Sequence, residues 1–367
     1  MLAQIRLLHF RNYDSCQVRF APGMNFLIGN NGQGKTNILE AVYYLALLRS
    51  FRTSVIDDLC QWPQNSFVLH GLLESAPNPP ETLAVSYGSE RRLLINDAPV
   101  YRASDFINRF LCVTFIPQDM DLVCGPPAQR RRFLDIAISQ LDAGYLRHLQ
   151  AYYEALKSRN AMLKAPDKFP PATIRAYDQV LVKHAVAIEL ARRNFAVSMN
   201  AILVEKSRQL FGEQQLVILK YLSRLGFFLE SCEGDEEELT KAYSHGLQHG
   251  FERDLKSGTT NCGPHRAELN CLLDQKLLHK FGSQGEMRMA SLAMRFALLE
   301  LIRCRQNPDD VVILVDDVIG ELDEQRRVNF INELSKSGQI LFACTRIPRE
   351  FTASAQVLKI RGGKIED

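Results

Sequence analysis

The feature that most constrains the fold is residues 29–36, GNNGQGKT, a full match to the pattern G-x-x-x-x-G-K-[ST]. The apolar residues 24–28 (MNFLI) before it predict a buried strand, and residues 37–48 (NILEAVYYLALL) after it predict a helix. Strand, glycine-rich loop and helix in this order form a cradle for nucleotide phosphates, which bind backbone N–H groups and the helix N-terminus. The residues expected to form the cradle are Gly29, Asn30, Asn31, Gly32, Gln33, Gly34, Lys35 and Thr36.

A second apolar run supplies the expected partner of this loop. Residues 311–315 (VVILV) predict a buried strand, and Asp316 and Asp317 follow it directly. Lys35 is expected to reach the β- and γ-phosphates, and the Thr36 hydroxyl to bind Mg²⁺. Asp316 would also hold the metal, while Asp317 would orient the attacking water. The alternative is a strand followed by a helix that merely begins at a capping aspartate.

Composition limits the class of protein. The chain has 367 residues, of which 46% are hydrophobic and 23% charged, as in an ordinary soluble globular protein with room for two structural units. A formal net charge of only +2 means that any surface for nucleic acid must be local. Nine cysteines without a C-x-x-C pair indicate reduced thiols and a cytoplasmic location. No run approaches the roughly 20 apolar residues that cross a bilayer, so no membrane association is expected.

The predicted secondary structure changes along the chain. Residues 1–125 are rich in short strand-like segments, whereas residues 128–164 and 172–211 show helical spacing and are separated by a proline-rich stretch. We therefore predict an α/β fold with an inserted, mostly α-helical arm. The predicted domains are residues 1–125 with 251–367, and the insertion at 126–250. The alternative is that these helices form a layer of the main core.

The order of the motifs narrows the class further. After the phosphate loop come Gln118, the loop 281–286 (FGSQGE), the acidic strand end and residues 321–323 (ELD), an order that resembles an ABC-type ATPase. In detail the chain resembles the RecF family of bacterial recombination ATPases, related to the SMC and Rad50 heads. The blocks that carry this resemblance are FRNY (10–13), RSFR (49–52), FIPQD (115–119), RRRFLD (130–135), GPHR (263–266), FGSQGE and LVDDVIGELD (314–323). The resemblance implies a P-loop ABC-type ATPase head, a mixed sheet flanked by helices, that uses ATP and Mg²⁺.

The resemblance also implies roles for single residues. Gln118 would sense Mg²⁺ and the lytic water, and Ser283 and Gly285 would form the signature loop that acts across a dimer. Asp323 would lie at the dimer seam, and Arg11 and Asn12 near the nucleotide. The implied catalytic residues are Lys35, Gln118, Ser283 and Asp317, and the implied metal-binding residues are Thr36, Gln118 and Asp316.

Two departures from the family pattern bear on activity. Glu268 stands where the family usually has aspartate. Cys344, Thr345 and Arg346 occupy the place where many ABC proteins have a switch histidine. Without that histidine, and with the shorter Asp317 where transporters carry glutamate, we expect slow hydrolysis, which suits a timed switch.

Partners are likewise implied by the resemblance. The family binds double-stranded and gapped DNA as an ATP-dependent homodimer and works with RecR and RecO, and indirectly with RecA. Arg130, Arg131 and Arg132 are candidate DNA contacts, although such a run is usually a solvated face or a set of salt-bridge partners. Two other hypotheses share the phosphate loop: the ATPase subunit of a membrane transporter and a small-molecule kinase.

Overall fold

The computed structural model describes residues 1–75, 78–211, 215–223, 225, 235–305, 311–318, 320, 322–335, 338–349, 351 and 355–366. The chain divides into two units, Met1–Asp119 with Leu298–Asp367, and Met120–Ala297. The range predicted for the insertion, residues 126–250, lies inside the second unit, and its predicted end falls within a continuous helix, Glu236–Ser257.

The first unit contains an antiparallel sheet. Its strands are β1 (Leu2–Phe10), β2 (Tyr13–Arg19), β4 (Phe67–Ser75), β5 (Asn78–Tyr87), β6 (Arg91–Ile95) and β7 (Ala98–Val100). They lie in the order β2-β1-β4-β5-β6-β7. The pair Asn96 and Asp97 is a sequence signal for a turn, and this prediction is confirmed, since both residues have positive φ and connect the hairpin β6–β7.

A second sheet of the first unit carries the nucleotide motifs. Its strands are β3 (Met24–Ile28), β8 (Leu111–Phe115), β12 (Val311–Asp316), β13 (Gln339–Cys344), β14 (Gln356–Arg361) and β15 (Lys364–Glu366). They lie in the order β15-β14-β3-β13-β12-β8, and every neighbouring pair is parallel except β14 and β15. β8, β12 and β13 are buried along their whole length, as parallel strands covered on both faces are.

A long helix that begins in the second unit ends in the first. Among the described residues, three α-helices lie wholly within the first unit. They are α1 (Lys35–Leu47), α2 (Ala103–Phe106) and α9 (Glu324–Ser335). Helix α1 is buried on nearly all sides because it packs against strands of both sheets. This explains why its sequence is apolar all round rather than amphipathic.

The second unit is mostly helical. Its helices are α3 (Pro127–Leu141), α4 (Ala143–Leu163), α5 (Pro171–Phe211), α6 (Glu236–Ser257) and α7 (Leu278–Phe281), and α8 (Gln284–Arg303) begins in it. A small antiparallel sheet joins them, in the order β11-β10-β9. Its strands are β9 (Val217–Leu222), β10 (Glu268–Leu273) and β11 (Lys276–Leu277). The α/β fold class predicted from the sequence is thereby confirmed.

Two details of the second unit differ from the prediction. The helical segment 128–164 is two helices, because Asp142 has extended backbone and its side chain accepts a hydrogen bond from Gly144 N at 2.7 Å, which starts α4. The strand-like composition of residues 259–269 predicts a short β-structure there, and this prediction is wrong for most of the segment. A 3₁₀ turn, Pro264–Arg266, lies there, and the strand begins only at Glu268.

Buried arginines hold the helices of the second unit together. Arg159 on α4 is fully buried and bonds to Asp178 and Asp254, each at 2.8 Å. Arg192 on α5 is 1% exposed and donates to Asp135 and to the carbonyl of Pro264. Such charges are tolerated inside a protein only when they are paired and hydrogen-bonded.

Candidate nucleotide-binding site

The phosphate loop follows the carboxyl end of β3 and leads into α1, so the predicted strand, loop and helix are confirmed. Gly34 immediately precedes the helix with φ of +115°, a conformation that side chains disfavour. A Cβ there would lie 2.7 Å from Tyr13 Oη and 2.8 Å from Asn12 Nδ2. Only glycine therefore fits this corner of the loop.

The loop closes around its own lysine. Lys35 is 5% exposed, and its Nζ donates to the carbonyls of Gly29 at 2.8 Å and Asn30 at 2.9 Å. This places a buried ammonium group inside the curve of the loop. A cation held there is positioned to neutralise phosphate oxygens.

Residues distant in sequence brace the loop from outside. Asn12 Nδ2 donates to Gln33 O at 3.2 Å, and Asn37 donates to Asn12 Oδ1 at 2.7 Å. From the other end of the chain, Gly362 N donates to Gln33 Oε1 at 2.7 Å and Gly363 N to Gln33 O at 3.1 Å. Asn12 therefore contacts the phosphate loop, and its position near the nucleotide stays a prediction.

Arg11 contacts α1 rather than the loop. Its guanidinium binds both carboxylate oxygens of Glu40, at 2.8 and 2.7 Å, and Glu40 is fully buried. Ser50 also donates to this carboxylate, and Arg52 lies 3.5 Å from it. The RSFR segment thus serves to neutralise a buried acid of the phosphate-loop helix.

Glu40 was missed by the reasoning from sequence. It is the one charged residue within residues 37–48, an otherwise apolar segment. A buried carboxylate requires partners, so a lone acid in such a helix was a usable signal that basic residues elsewhere converge on it.

The acidic strand end meets the loop. Thr36 Oγ1 donates to Asp316 Oδ2 at 2.8 Å, which joins β12 to the start of α1. Burial and the neighbouring Asp317 raise the pKa of the Asp316 carboxyl, although the Thr36 hydrogen bond opposes this. A hydroxyl and carboxylates form the hard oxygen set that suits Mg²⁺, so the residues present fit such an ion.

Asp317 is exposed and has φ of +49°, an uncommon conformation outside glycine. Strained backbone of this kind concentrates at functional sites. The neighbouring Cys344 ends β13. Burial raises the pKa of its thiol to about 11, with Lys35 opposing and Asp317 adding to the effect. The place of the missing switch histidine is therefore taken by a neutral thiol beside the charged residues of the site.

The remaining predicted residues lie on exposed surface. Gln118 is exposed in a 3₁₀ turn, Pro117–Leu122, that follows β8. Asp323 accepts from Arg326 N at 2.9 Å near the start of α9. Glu321, the first residue of the ELD segment, lies outside the described residues.

The signature loop belongs to the second unit. Ser283 and Glu286 form a reciprocal capping box at the start of α8, with Ser283 N donating to the Glu286 carboxylate at 2.7 Å. These bonds lower the pKa of Glu286. A Cβ added to Gly285 would meet no atom within 4 Å. Ser283 and Gly285 therefore face open space, held by a cap that fixes the loop geometry.

The arginine run divides in the structure. Arg130 is 5% exposed and is held by Glu268 at 2.9 Å and by Gly125 O. Arg131 is partly exposed and donates to Ala267 O at 2.9 Å. Arg132 is also partly exposed. The burial of Arg130 gives it a structural role, so it is a poor candidate for DNA contact.

These features define the class of protein. A phosphate loop between a parallel strand and a buried helix, joined to an acidic strand end, is the site of a P-loop ATPase head. Residues 1–87 match the family model described as the RecF/RecN/SMC N terminal domain. The fold also resembles the Smc head domain from Pyrococcus furiosus, with a TM-score of 0.55 at 16% identity over 100% of this chain and 95% of that one.

Relatives match almost the whole chain. The DNA replication and repair protein RecF of Ruminiclostridium cellulolyticum is 32% identical over 98% of this chain and 97% of its own length. That of Latilactobacillus sakei is 30% identical over 99% and 98%. A solved structure of the recombination mediator protein RecF with ATP, at 26% identity, gives a TM-score of 0.91 over 100% of this chain and 96% of that one. The chain belongs to the RecF family of DNA replication and repair proteins.

Family membership bears on the alternatives. It favours the DNA-repair hypothesis over the transporter subunit and the small-molecule kinase. Among the described residues, no helix is long and apolar enough to cross a membrane.

Proposed function

We propose that this chain is an ATP-dependent DNA-binding protein of recombinational gap repair, acting in the cytoplasm. ATP closes a head-to-tail homodimer on double-stranded DNA and gap junctions, and slow hydrolysis releases it. Working with RecO and RecR, it assists the loading of RecA. The names of its relatives support this proposal, since they are DNA replication and repair proteins, and a solved relative is described as a recombination mediator in the RecFOR pathway.

The observation that carries the proposal is the bond between Thr36 and Asp316 beside the enclosed ammonium of Lys35. These residues bring phosphate-binding and metal-binding groups to one edge of a parallel sheet. Bound Mg²⁺ would neutralise charge on the β- and γ-phosphates, with Thr36, Asp316 and Gln118 as its ligands or the ligands of its waters. Asp317 would orient the attacking water.

Exposure of the signature loop supports the dimer. Ser283 and Gly285 lie on open surface, and the neighbouring Phe281 is 73% exposed. A capped helix N-terminus with free space in front of it suits the γ-phosphate held by a second copy. An exposed phenylalanine beside it suits burial in an interface.

Features of the acidic strand end support slow turnover. The Asp317 side chain is one methylene shorter than a glutamate, and Cys344 is neutral at physiological pH because its pKa is about 11. The neutral Cys344 thiol does not act as a base for a water molecule, and the shorter Asp317 side chain reaches less far than a glutamate would. ATP binding, more than the rate of its hydrolysis, would then set how long the dimer stays closed.

The dimer is tested by size-exclusion chromatography with light scattering, with and without ATP and Mg²⁺. We expect Asp317→Asn to accumulate as a nucleotide-bound dimer because hydrolysis is blocked. Lys35→Met is the matched control and stays monomeric because it lacks the ammonium group that binds the phosphates. A wild-type chain that stays monomeric when saturated with ATP, Mg²⁺ and duplex would refute the proposal.

The switch is tested by DNA retention. Fluorescence anisotropy with a labelled duplex should show tighter binding with ATP than without nucleotide. Ser283→Arg should bind fluorescent ATP normally but lose turnover and ATP-dependent retention, because it blocks the composite site. Equal DNA retention in the two nucleotide states would contradict an ATP switch.

A further inference from the structure

The second unit contains a cleft of about 760 Å³ that the proposed ATPase mechanism does not use. Residues of two sequence motifs that have no role in the nucleotide site line this cleft. Arg131 comes from the arginine run and Arg266 from the GPHR block. The residues lining the cleft are Pro127, Arg131, Gly246, His249, Gly250, Arg253, Asn261, Cys262, Arg266 and Glu268.

The charge of the cleft is positive. Arg131, Arg253 and Arg266 contribute three guanidinium groups, whereas the carboxylate of Glu268 is held by Arg130 at 2.9 Å. Within the part of the chain that the structure describes, no acidic side chain forms an ion pair with Arg253 or Arg266, and both are exposed. The lining therefore offers cations without a matching set of anions.

A neighbouring group responds to the same charge. The pKa of His265 is lowered to about 4, mainly by burial and further by repulsion from Arg266 and Arg131. The imidazole is accordingly neutral, with Nε2 donating to Thr260 O and Nδ1 accepting from Tyr152 Oη. A neutral histidine beside the cleft leaves its cationic character to the arginines.

The wall of the cleft leaves room for a ligand to approach closely. Arg131 Nη1 donates to Ala267 O at 2.9 Å, which fixes the orientation of its planar fork. On α6, a Cβ added to Gly250 would meet only Arg253 Nη2, at 3.8 Å. Glycine destabilises a helix interior relative to alanine, and no close packing requires Gly250 at this position. Its effect is to keep this wall of the cleft free of a side chain.

The chemistry of the lining selects the class of ligand. Guanidinium forks match the oxygen pairs of phosphates. Carboxylates of an acidic peptide fit the same forks, so polyglutamate is the competing ligand in the footprint below, whereas the proposed DNA binding favours phosphates. We propose that this cleft binds consecutive phosphates of a nucleic-acid backbone. The proposal rests on the proposed DNA binding and assigns it a site.

The test compares two double variants. Arg253→Gln with Arg266→Gln removes two charges from the cleft, and Arg147→Gln with Lys183→Gln removes two exposed charges on α4 and α5. Anisotropy with a labelled duplex and ATP is measured over a salt series. We expect the cleft variant to bind at least about 10-fold more weakly, with a log–log salt slope lower by roughly 1.8, or about 0.9 for each lost phosphate contact. The control should match the wild type in both.

A footprint gives a second measurement without mutation. Phenylglyoxal modifies exposed arginines, and mass spectrometry locates the modified residues. We expect bound duplex to protect Arg253 and Arg266 but not Arg147. Protection by polyglutamate and not by duplex would overturn the proposal and assign an acidic partner.

The outcomes distinguish an error in the cleft assignment from an error in the proposed DNA binding. If the wild type binds duplex and the cleft variant binds equally well, the cleft assignment is overturned while DNA binding stands. If the wild type fails to bind duplex in either nucleotide state, both are overturned. Binding of a fluorescent ATP analogue, measured on every variant, checks that the first unit is intact.

Discussion

Lowering the pH from 7.5 to 5.0 is expected to destabilise the second unit through one imidazole, that of His265. Its two ring nitrogens are hydrogen-bonded, Nδ1 to Tyr152 Oη at 2.6 Å and Nε2 to Thr260 O at 3.0 Å. Burial, together with repulsion from Arg266 and Arg131, lowers its pKa from 6.5 to about 4. A second proton on the ring would also remove the acceptor that the Tyr152 hydroxyl uses.

The sign and size of the effect follow from linkage. Between pH 6.5 and 4 the unfolded chain binds a proton at this residue that the folded chain does not, so stability falls as the pH falls. At pH 5.0 the unfolded imidazole is almost fully protonated and the folded one mostly neutral. The difference amounts to about 2 kcal/mol, rising to about 3 kcal/mol below pH 4.

The assay is urea unfolding followed by far-UV circular dichroism at pH 7.5 and 5.0. His265→Gln is the matched control, because an amide can donate to Thr260 O and accept from Tyr152 without titrating. We expect the wild type to lose about 2 kcal/mol more than the variant between the two pH values. Equal losses would refute the reasoning, since all other titrating groups are common to both proteins.

Three further predictions concern packing and reactivity. Gly34→Ala should weaken binding of a fluorescent ATP analogue by at least about 10-fold because the methyl group collides with Tyr13, whereas Gly88→Ala, which makes only ordinary contacts, should not. Arg159→Met should lower the free energy of unfolding by about 3–5 kcal/mol, measured in urea, because it removes the guanidinium paired with the buried Asp254 carboxylate and leaves that charge with neutral donors from Asn261. At pH 8, iodoacetamide should alkylate the exposed Cys124 much faster than Cys344, whose pKa is about 11, as peptide mass spectrometry can show.

Local features of the nucleotide site were predictable from the sequence. The strand predicted at residues 24–28 has those bounds, and the run at 311–315 is extended by one residue to Asp316. Both follow from short apolar segments beside turn or acidic residues. The contact between Thr36 and Asp316 was also foreseeable, because the ends of parallel strands meet at one edge of a sheet.

Long-range features were not predictable in the same way. Periodicity does not register a one-residue break, so the two helices on either side of Asp142 were predicted as one. Arg130 is buried while its neighbours in the arginine run are partly exposed, and this difference depends on Glu268. Glu268 lies on a strand, 138 residues from Arg130. The partners of Glu40 likewise come from separate segments, and only the folded chain shows which basic residues reach it.

The bracing of Gln33 by Gly362 and Gly363 has a consequence for biosynthesis. The two partners of the Gly362 hydrogen bond are 329 positions apart, so a ribosome adds 329 residues between making the first partner and making the second. A nascent chain arrested before codon 362 carries the complete GNNGQGKT motif but lacks the clamp that steadies it. The phosphate loop therefore gains this brace only after Gly362 has been added to the chain.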